Sequence, residues 1–417
     1  MKKLGRFSIG VGDRFGHQGE AQLAALELTE KAGVVVVPVW NKSNREHTLI
    51  GTEPAQTRQA ADAAVAARNW KHQYFLDADH VGLKTVDRFI DACDFFTLDV
   101  ADDIGQPAEA ADIDAFAARW KHLVGTLTIP GLPEAFTITE STLRQVAGTY
   151  LRAAKEAGKI YRHIAAKKDP ATFVVEVSMD ETMQPQTPLE MFLILAALSE
   201  EKIPVQTVAP KFSGKFLKGI DYVGSVERFA AEFEADVRVV AHAAKLFGLP
   251  ETLKLSVHSG SDKFSLYPVM RSVLQKTGAG VHLKTAGTTW LEELIGLAAA
   301  GGDGLAMAKK VYADAIARMD ELTKPYATVV EIDKSKLPTP AEVSAWTSDQ
   351  YAHALRHVQS NPAYNLHFRQ VLHVAFKLAG EMGTSYTDML KKFHSVVGKN
   401  VTENLYERHL KPLFVGA

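Results

Sequence analysis

The chain of 417 residues contains a single cysteine, Cys93, so it has no internal disulfide and no thiolate metal cluster, and a reducing compartment is its expected home. Its 47 basic and 49 acidic residues nearly cancel, which leaves no field of one sign for nucleic acid or an acidic lipid surface. No stretch offers the roughly 20 uninterrupted apolar residues of a membrane span. Residues 1–8 carry two lysines but lack the long apolar run of a signal peptide, so a cytoplasmic location is expected, with neither nucleic acid nor membrane as partner. The remaining composition, 46% hydrophobic and 23% charged, is globular and excludes disorder, collagen-like repeats and small disulfide scaffolds. With thiols ruled out, any metal site must draw on the fifteen histidines together with Asp and Glu.

Length alone suits one large α/β domain or two to three smaller ones. Short apolar runs rich in β-branched residues occur at 7–12, 34–40, 74–79, 95–100, 172–178, 204–209, 253–258 and 280–284, eight in all. Helical patterns separate most of them, among them 19–32, 56–68, 85–92, 188–198 and 226–247. Strands alternating with amphipathic helices imply right-handed βαβ units and a parallel sheet, and eight of them predict a closed (β/α)8 barrel of the TIM type. An open doubly wound sheet is the competing fold. The glycines of Gly10-Val11-Gly12-Asp13-Arg14-Phe15-Gly16 lack the dinucleotide-binding spacing, which argues against it.

Two segments exceed a minimal barrel. Residues 101–168 are too long for one loop and helix and read as a cap inserted over the barrel mouth. After the eighth strand a mostly helical tail follows, so the expected division is a barrel over 1–300 and a helical extension over 301–417. The tail either covers the barrel or builds an interface between copies of the chain in a homo-oligomer. Its histidines, His353, His357, His367, His373, His394 and His409, read as solvated or capping residues. Cys93, on the helix expected before the fourth strand, reads as packing.

Alternation selects the inward faces. Phe173, Val175 and Val177 suit the outer face, leaving Val174, Glu176, Ser178 and Asp180 inward. By the same rule Thr97, Asp99, Ser256, His258, His282 and Lys284 face inward, which makes the upper interior polar. Barrel enzymes place their chemistry there, at the C-terminal ends of the strands. Asp79 and His80 end the third strand and combine a base with a ligand, although Asp79 also suits a helix N-cap. His258 precedes Ser259-Gly260-Ser261-Asp262-Lys263, whose small residues let backbone approach an anion; a satisfied core histidine is the alternative. His282 and Lys284 share one face and need an acidic neighbour, with pairing to Glu176 as the plain structural explanation. Asp180 suits either acid–base chemistry or a turn cap. Lys211, after Pro210, suits an anionic substrate or a solvated loop, and Arg14, beside Asp13, His17 and Gln18, offers a bidentate donor for a carboxylate. His80, His258 and His282 arise from three strands and can converge on one divalent cation; zinc, manganese, cobalt and nickel all suit such ligands.

Taken together, Ile9–Gly16, Leu76–His80, Glu176–Glu181, Val208–Phe212, His258–Lys263 and His282–Gly287 resemble the tagaturonate epimerase family of hexuronate breakdown across most of the barrel. The resemblance implies a metal-dependent sugar-acid epimerase, an isomerase, with His80, His258 and His282 at the matching ligand positions. Tagaturonate and fructuronate differ at C3, which is β to the C5 ketone, so exchange of an α-proton cannot interconvert them. Retro-aldol cleavage of C3–C4, rotation of the aldehyde and re-addition can. On that scheme Asp79 is the expected base and Glu176, or else Asp180, the acid, while Arg14, Lys211, Ser259 and Lys284 hold the substrate. A ketose isomerase or class II-type aldolase on a related sugar would use the same barrel top. A sugar-acid binding protein that has kept the fold is the non-catalytic alternative.

Overall fold

The computed structural model describes residues 2–285 and 287–416; Met1, Ala286 of the last motif and Ala417 lie outside the described residues. In chain order the strands are β1 (Phe7–Val11), β2 (Val37–Ser43), β3 (Phe75–Val81), β4 (Phe95–Asp99), β5 (Gly125–Leu127), β6 (Phe136–Ile138), β7 (Val174–Ser178), β8 (Val205–Ala209), β9 (Lys254–His258) and β10 (Val281–Lys284). All but β5 and β6 are parallel and close into a barrel in the order β1-β10-β9-β8-β7-β4-β3-β2. This is the expected eight-stranded TIM-type fold.

The alternation read from the strands is the one observed. Phe96, Leu98, Val175, Val177, Leu255, Val257, Val281 and Leu283 pack outward into the main hydrophobic core. Inside, Val37, Val39, Phe75, Phe95 and Val174 join Leu4 in a separate apolar floor. Lys254 seals that floor from below, its ammonium donating to the carbonyl oxygens of Leu4 (3.3 Å) and Arg6 (3.2 Å). Polar residues stack above it, as register dictates: Thr97 pairs with Glu176, and Lys284 with Gly10 on one side and His258 on the other.

Three expectations need correction. The helix at 85–92 is only a 3₁₀ turn, Val86–Arg88, because successive tight turns bury Val86, Phe89, Ile90 and Cys93 directly against the core. The insert does not cap the mouth. It contains helix Ala110–Arg119 and the antiparallel hairpin β5–β6, and it leads into helix Glu140–Ala165. Trp120 anchors it by donating to Glu200 (2.7 Å) and meeting Phe247 edge-on (4.9 Å between ring centroids), at the C-terminal ends of helices Pro188–Glu200 and Val226–Phe247. Those ends lie away from the catalytic rim, so burial of the indole draws the insert to the outer wall.

The third correction concerns the tail. Helix Thr288–Ala300, which follows β10, contributes Trp290, Leu291, Leu294, Ile295, Leu297 and Ala298 to a second core shared with tail residues. The closing helical segment, Asn404–Val415, instead packs Leu405, Leu410, Leu413 and Phe414 into the barrel's own core. Phe414 stacks on Phe7 of β1 (5.0 Å). The chain's last helical segment therefore completes the barrel wall, while the second core runs from Trp290 to Val401. His357, His373 and His409 are buried, at 1%, 3% and 0% exposure, and are not solvated. No helix among the described residues is long and apolar enough to cross a membrane.

Where the two cores meet, Glu292 is buried and accepts a hydrogen bond from Asn404 (3.0 Å). Burial pushes its pKa up to about 7, with Arg369 opposing and Asp262 assisting. The folded state holds this proton more tightly than the unfolded chain does. Its contribution is therefore fully present below about pH 4.5 and is lost as pH rises towards 7. Glu292→Gln keeps the acceptor without the charge. It is expected to match the parent's stability at pH 5 and exceed it at pH 8 by up to about 3 kcal/mol, read from denaturant melts. A constant difference across that range would refute this role.

Candidate active site at the barrel mouth

The end of β3 departs from regular strand geometry. Strict alternation puts Phe75, Asp77 and Asp79 inward and would send His80 outward. Instead the pairing with β4 shifts between Ala78 and Val81, and His80 adopts φ +53°, a left-handed conformation unfavourable for a side chain of this kind. The irregularity brings Asp79 and His80 together at the mouth, with His80 Nε2 3.8 Å from Asp79 Oδ1. Asp99, at the end of β4, holds the other ring nitrogen, Nδ1, at 3.2 Å.

His258, at the end of β9, faces His80 with ring centroids 5.2 Å apart. Its Nε2 is held by Glu176 at 2.7 Å, and its Nδ1 lies 3.2 Å from Asp180 Oδ2. That second approach is too poorly aligned to make a hydrogen bond, so Nδ1 has no true partner among the described residues. His80, Asp180 and His258 each place one ligand atom within 4.8 Å of the others. Two imidazoles and a carboxylate, with carboxylates on the far nitrogens, make a donor set that fits a divalent cation with open coordination positions. The unaligned Nδ1 beside Asp180 is what two ligands aimed at a common centre would show. Electrostatics agree. Burial alone would lower both imidazoles, yet Asp79, Asp99 and Asp180 around His80, and Asp180 and Glu176 around His258, raise them to about 10 and about 9. The pocket calls for positive charge at this point.

One layer down, Lys284 is the internal counter-ion. Its ammonium meets Asp77 Oδ2 (2.8 Å), Asp79 Oδ1 (2.7 Å), Glu176 Oε1 (3.3 Å) and the Thr97 hydroxyl (2.6 Å). The lysine stem reaches across because β1 has glycine there: a Cβ on Gly10 would stand 2.8 Å from Lys284 Cγ. Burial raises Asp79, but Lys284 outweighs it and holds the carboxyl at about 2. For Asp77, enclosed more deeply, burial prevails and its pKa rises to about 7. Glu176 stays well below the usual carboxylate range because Lys284 and His258 overcome its burial.

Several sequence-derived roles change on this geometry. His282 does not join the cation group. It is fully buried a layer below, bound through Nδ1 to the Ser8 hydroxyl (2.9 Å) and packed on Phe95, and burial lowers it to about 3. Lys284, expected to hold the substrate, is saturated by the barrel's own acids. Glu176, expected as an acid, is fully enclosed and ionised between His258, Lys284, Thr97 and the Thr207 hydroxyl (2.8 Å), so it orients rather than donates. Asp180, the other expected acid, belongs to the cation group and accepts from Ser178 (2.5 Å). The Ser259 hydroxyl is spent on the Lys284 carbonyl (2.7 Å). Lys211 is half-buried after β8, its backbone N–H bound to Gln186 (2.7 Å), and it takes no part in these clusters. Asp79 keeps its place at the mouth. Arg14 gives one nitrogen to Glu46 (2.8 Å) and keeps Nε and a second terminal nitrogen without partners among the described residues.

Asp77 and the orienting role of Asp99 were missed. Alternation counted from Phe75 would have revealed Asp77, and Asp99 already read as inward.

Comparison with known proteins agrees with the motifs. The tagaturonate epimerase family model matches residues 2–412. The tagaturonate/fructuronate epimerase of Thermotoga maritima is 28% identical over 358 residues, covering 81% of this chain and 68% of that protein. The glycerol-bound crystal structure of the fructuronate-tagaturonate epimerase from Cohnella laeviribosi shares the fold, with a TM-score of 0.81 and 24% identity, over 99% of this chain and 82% of that one. The native form of the same enzyme gives a TM-score of 0.78. A match of this extent, over a barrel whose mouth carries the conjoined Asp79, His80, Asp180 and His258, identifies the chain as an isomerase of the tagaturonate epimerase family.

Proposed function

We propose that this enzyme interconverts D-tagaturonate and D-fructuronate by retro-aldol cleavage and re-addition, with one divalent cation held by His80, Asp180 and His258. The observation that carries the reading is the convergence of those three donors beside an ionised Asp79. When bound, the cation would supply Lewis-acid polarisation of the ketone and its neighbouring hydroxyl oxygen. Asp79 accepts the proton of the C3 hydroxyl as C3–C4 breaks, giving an aldehyde and an enediolate. The aldehyde turns, the enediolate adds to its other face, and the new C3 alkoxide takes up one proton from solvent as Asp79 gives its own back to solvent, so that nothing is gained or lost overall. Lys284 keeps Asp79 ionised and oriented. Asp99 and Glu176 fix the rings of His80 and His258.

NMR of the reaction in deuterated water tests the route. Epimer should form without deuterium on carbon and without accumulated fragments. Deuterium at C4 without C3 epimer would indicate α-proton exchange in place of epimerisation, and lasting fragments an aldolase. Chelation should abolish turnover, and zinc, manganese, cobalt or nickel should restore it. Asp99→Asn is expected to weaken the cation's affinity about 10–100-fold, measured by titration of the metal-free protein, because the His80 ring loses its carboxylate partner. An unchanged affinity would remove Asp99 from this role.

A further inference from the structure

The carboxylate of a sugar acid needs a cationic receptor, and Lys284 cannot serve because three acids already occupy it. Another set of donors stands at the mouth. Lys218, in the loop after β8, makes no side-chain hydrogen bond or ion pair among the described residues, and Asp180 and Glu181 are among its charged neighbours. His373, from the tail helix Leu366–Val374, is 3% exposed, and its Nε2 has no hydrogen-bond partner among the described residues. Of the cations around this imidazole, Arg14 and Lys218 act on it most strongly. Arg14 keeps two nitrogens unpartnered, and its guanidinium is braced over the ring of Phe376, 4.3 Å from the centroid, also in the tail.

Two glycines join these groups. The Gly287 N–H donates to the Gly260 carbonyl (3.0 Å), linking the loops that follow β10 and β9. A Cβ on Gly260 would lie 3.1 Å from Lys218 Nζ, and one on Gly287 only 2.2 Å from His373 Nε2. Both side chains thus close on bare backbone, at the ends of the seventh and eighth barrel strands, where this architecture commonly receives anions.

We propose that Lys218, Arg14 and His373 form the receptor for the substrate's carboxylate, so that the helical tail selects sugar acids over neutral ketoses. Lys218 supplies the charge, Arg14 its buried, unpartnered nitrogens and His373 a single ring N–H. This rests on the reading that the substrate is a sugar acid.

Steady-state kinetics with D-tagaturonate, with D-tagatose as a neutral competitive inhibitor, test it. Lys218→Met is expected to raise KM for the acid about 10–100-fold, with a much smaller fall in kcat and little change in the D-tagatose inhibition constant. Lys218→Arg should restore much of the affinity, and His373→Phe should raise KM by about tenfold. An unchanged KM, or equal weakening of acid and neutral ligand, would overturn the proposal. Calorimetric binding of D-gluconate separates it from the function reading: if the parent fails to turn over tagaturonate yet binds gluconate through Lys218, the receptor stands and the substrate assignment falls. Failure of Lys218→Met to weaken gluconate binding to a competent parent would count against the receptor alone.

Discussion

Lys284→Met should lower the free energy of unfolding at neutral pH by about 3–5 kcal/mol and reduce turnover by roughly 10²-fold or more. The side chain is 4% exposed, and its ammonium is the common partner of Asp77, Asp79 and Glu176. Methionine matches the length and fills the same space against Gly10, so loss of packing contributes little. What remains is three buried carboxylates without their central cation, and removal of one partner from a buried ionic group is far more harmful than its absence from the outset. Asp79 also loses the contact that orients it towards the mouth. Denaturant melts at neutral pH and in acid test this account. The loss should shrink in acid, where the orphaned carboxylates take up protons in both the parent's unfolded chain and the variant's folded state. A loss below about 1 kcal/mol at neutral pH would mean that the barrel rearranges around the missing charge, contrary to the account given.

Asp262→Ala should have a comparable effect on stability, about 3–5 kcal/mol, for a different architectural reason. Asp262 lies in the loop after β9 and is fully buried. It receives Arg369 (2.7 Å), His357 (3.1 Å) and the Thr288 hydroxyl (2.8 Å), and His409 Nε2 lies 3.3 Å away. Those partners come from four segments of the region after β10, so one carboxylate ties the tail to the barrel. Arg369 is itself fully buried, and its other nitrogens are committed to the carbonyls of Gly219 (2.5 Å) and Leu355 (2.6 Å). Without Asp262 it has no ion-paired carboxylate among the described residues. The double variant Asp262→Ala/Arg369→Met should therefore be less destabilised than the sum of the two single changes, and protease should cut the tail of Asp262→Ala sooner than that of the parent. Strict additivity would show that the two groups do not act as a pair.

Much of this was readable from local pattern. Alternation in Thr172–Ser178 and Leu253–His258 decided which residues enter the barrel, because a strand buried on its helix side needs apolar groups at every second position. Glu176, His258 and Lys284 followed from that rule, and the bland expectation that Lys284 pairs with Glu176 is what the structure contains. His80 was recognised for its chemistry, not its direction, since alternation alone would have turned it away from the site. Ser259 and His282 were misread for one reason: inward or rim position was taken for access, and depth along the barrel axis is not written in any one strand.

The tail shows the same boundary at larger scale. Helical periodicity announced its helices, yet not that Asn404–Val415 would complete the barrel wall while Thr288–Ala300 joined a second core. By itself the sequence determined the barrel, its polar upper interior and a thiol-free set of candidate ligands, since these depend on the two-residue period and on composition. Only the tertiary structure decided that Asp180 joins His80 and His258 in place of His282, that Lys284 serves the barrel's own acids, and that His373 of the tail is buried against Gly287 after β10. Those outcomes depend on the bulge at His80, the heights at which strands align and the docking of segments more than a hundred residues apart, and no local pattern encodes such distances.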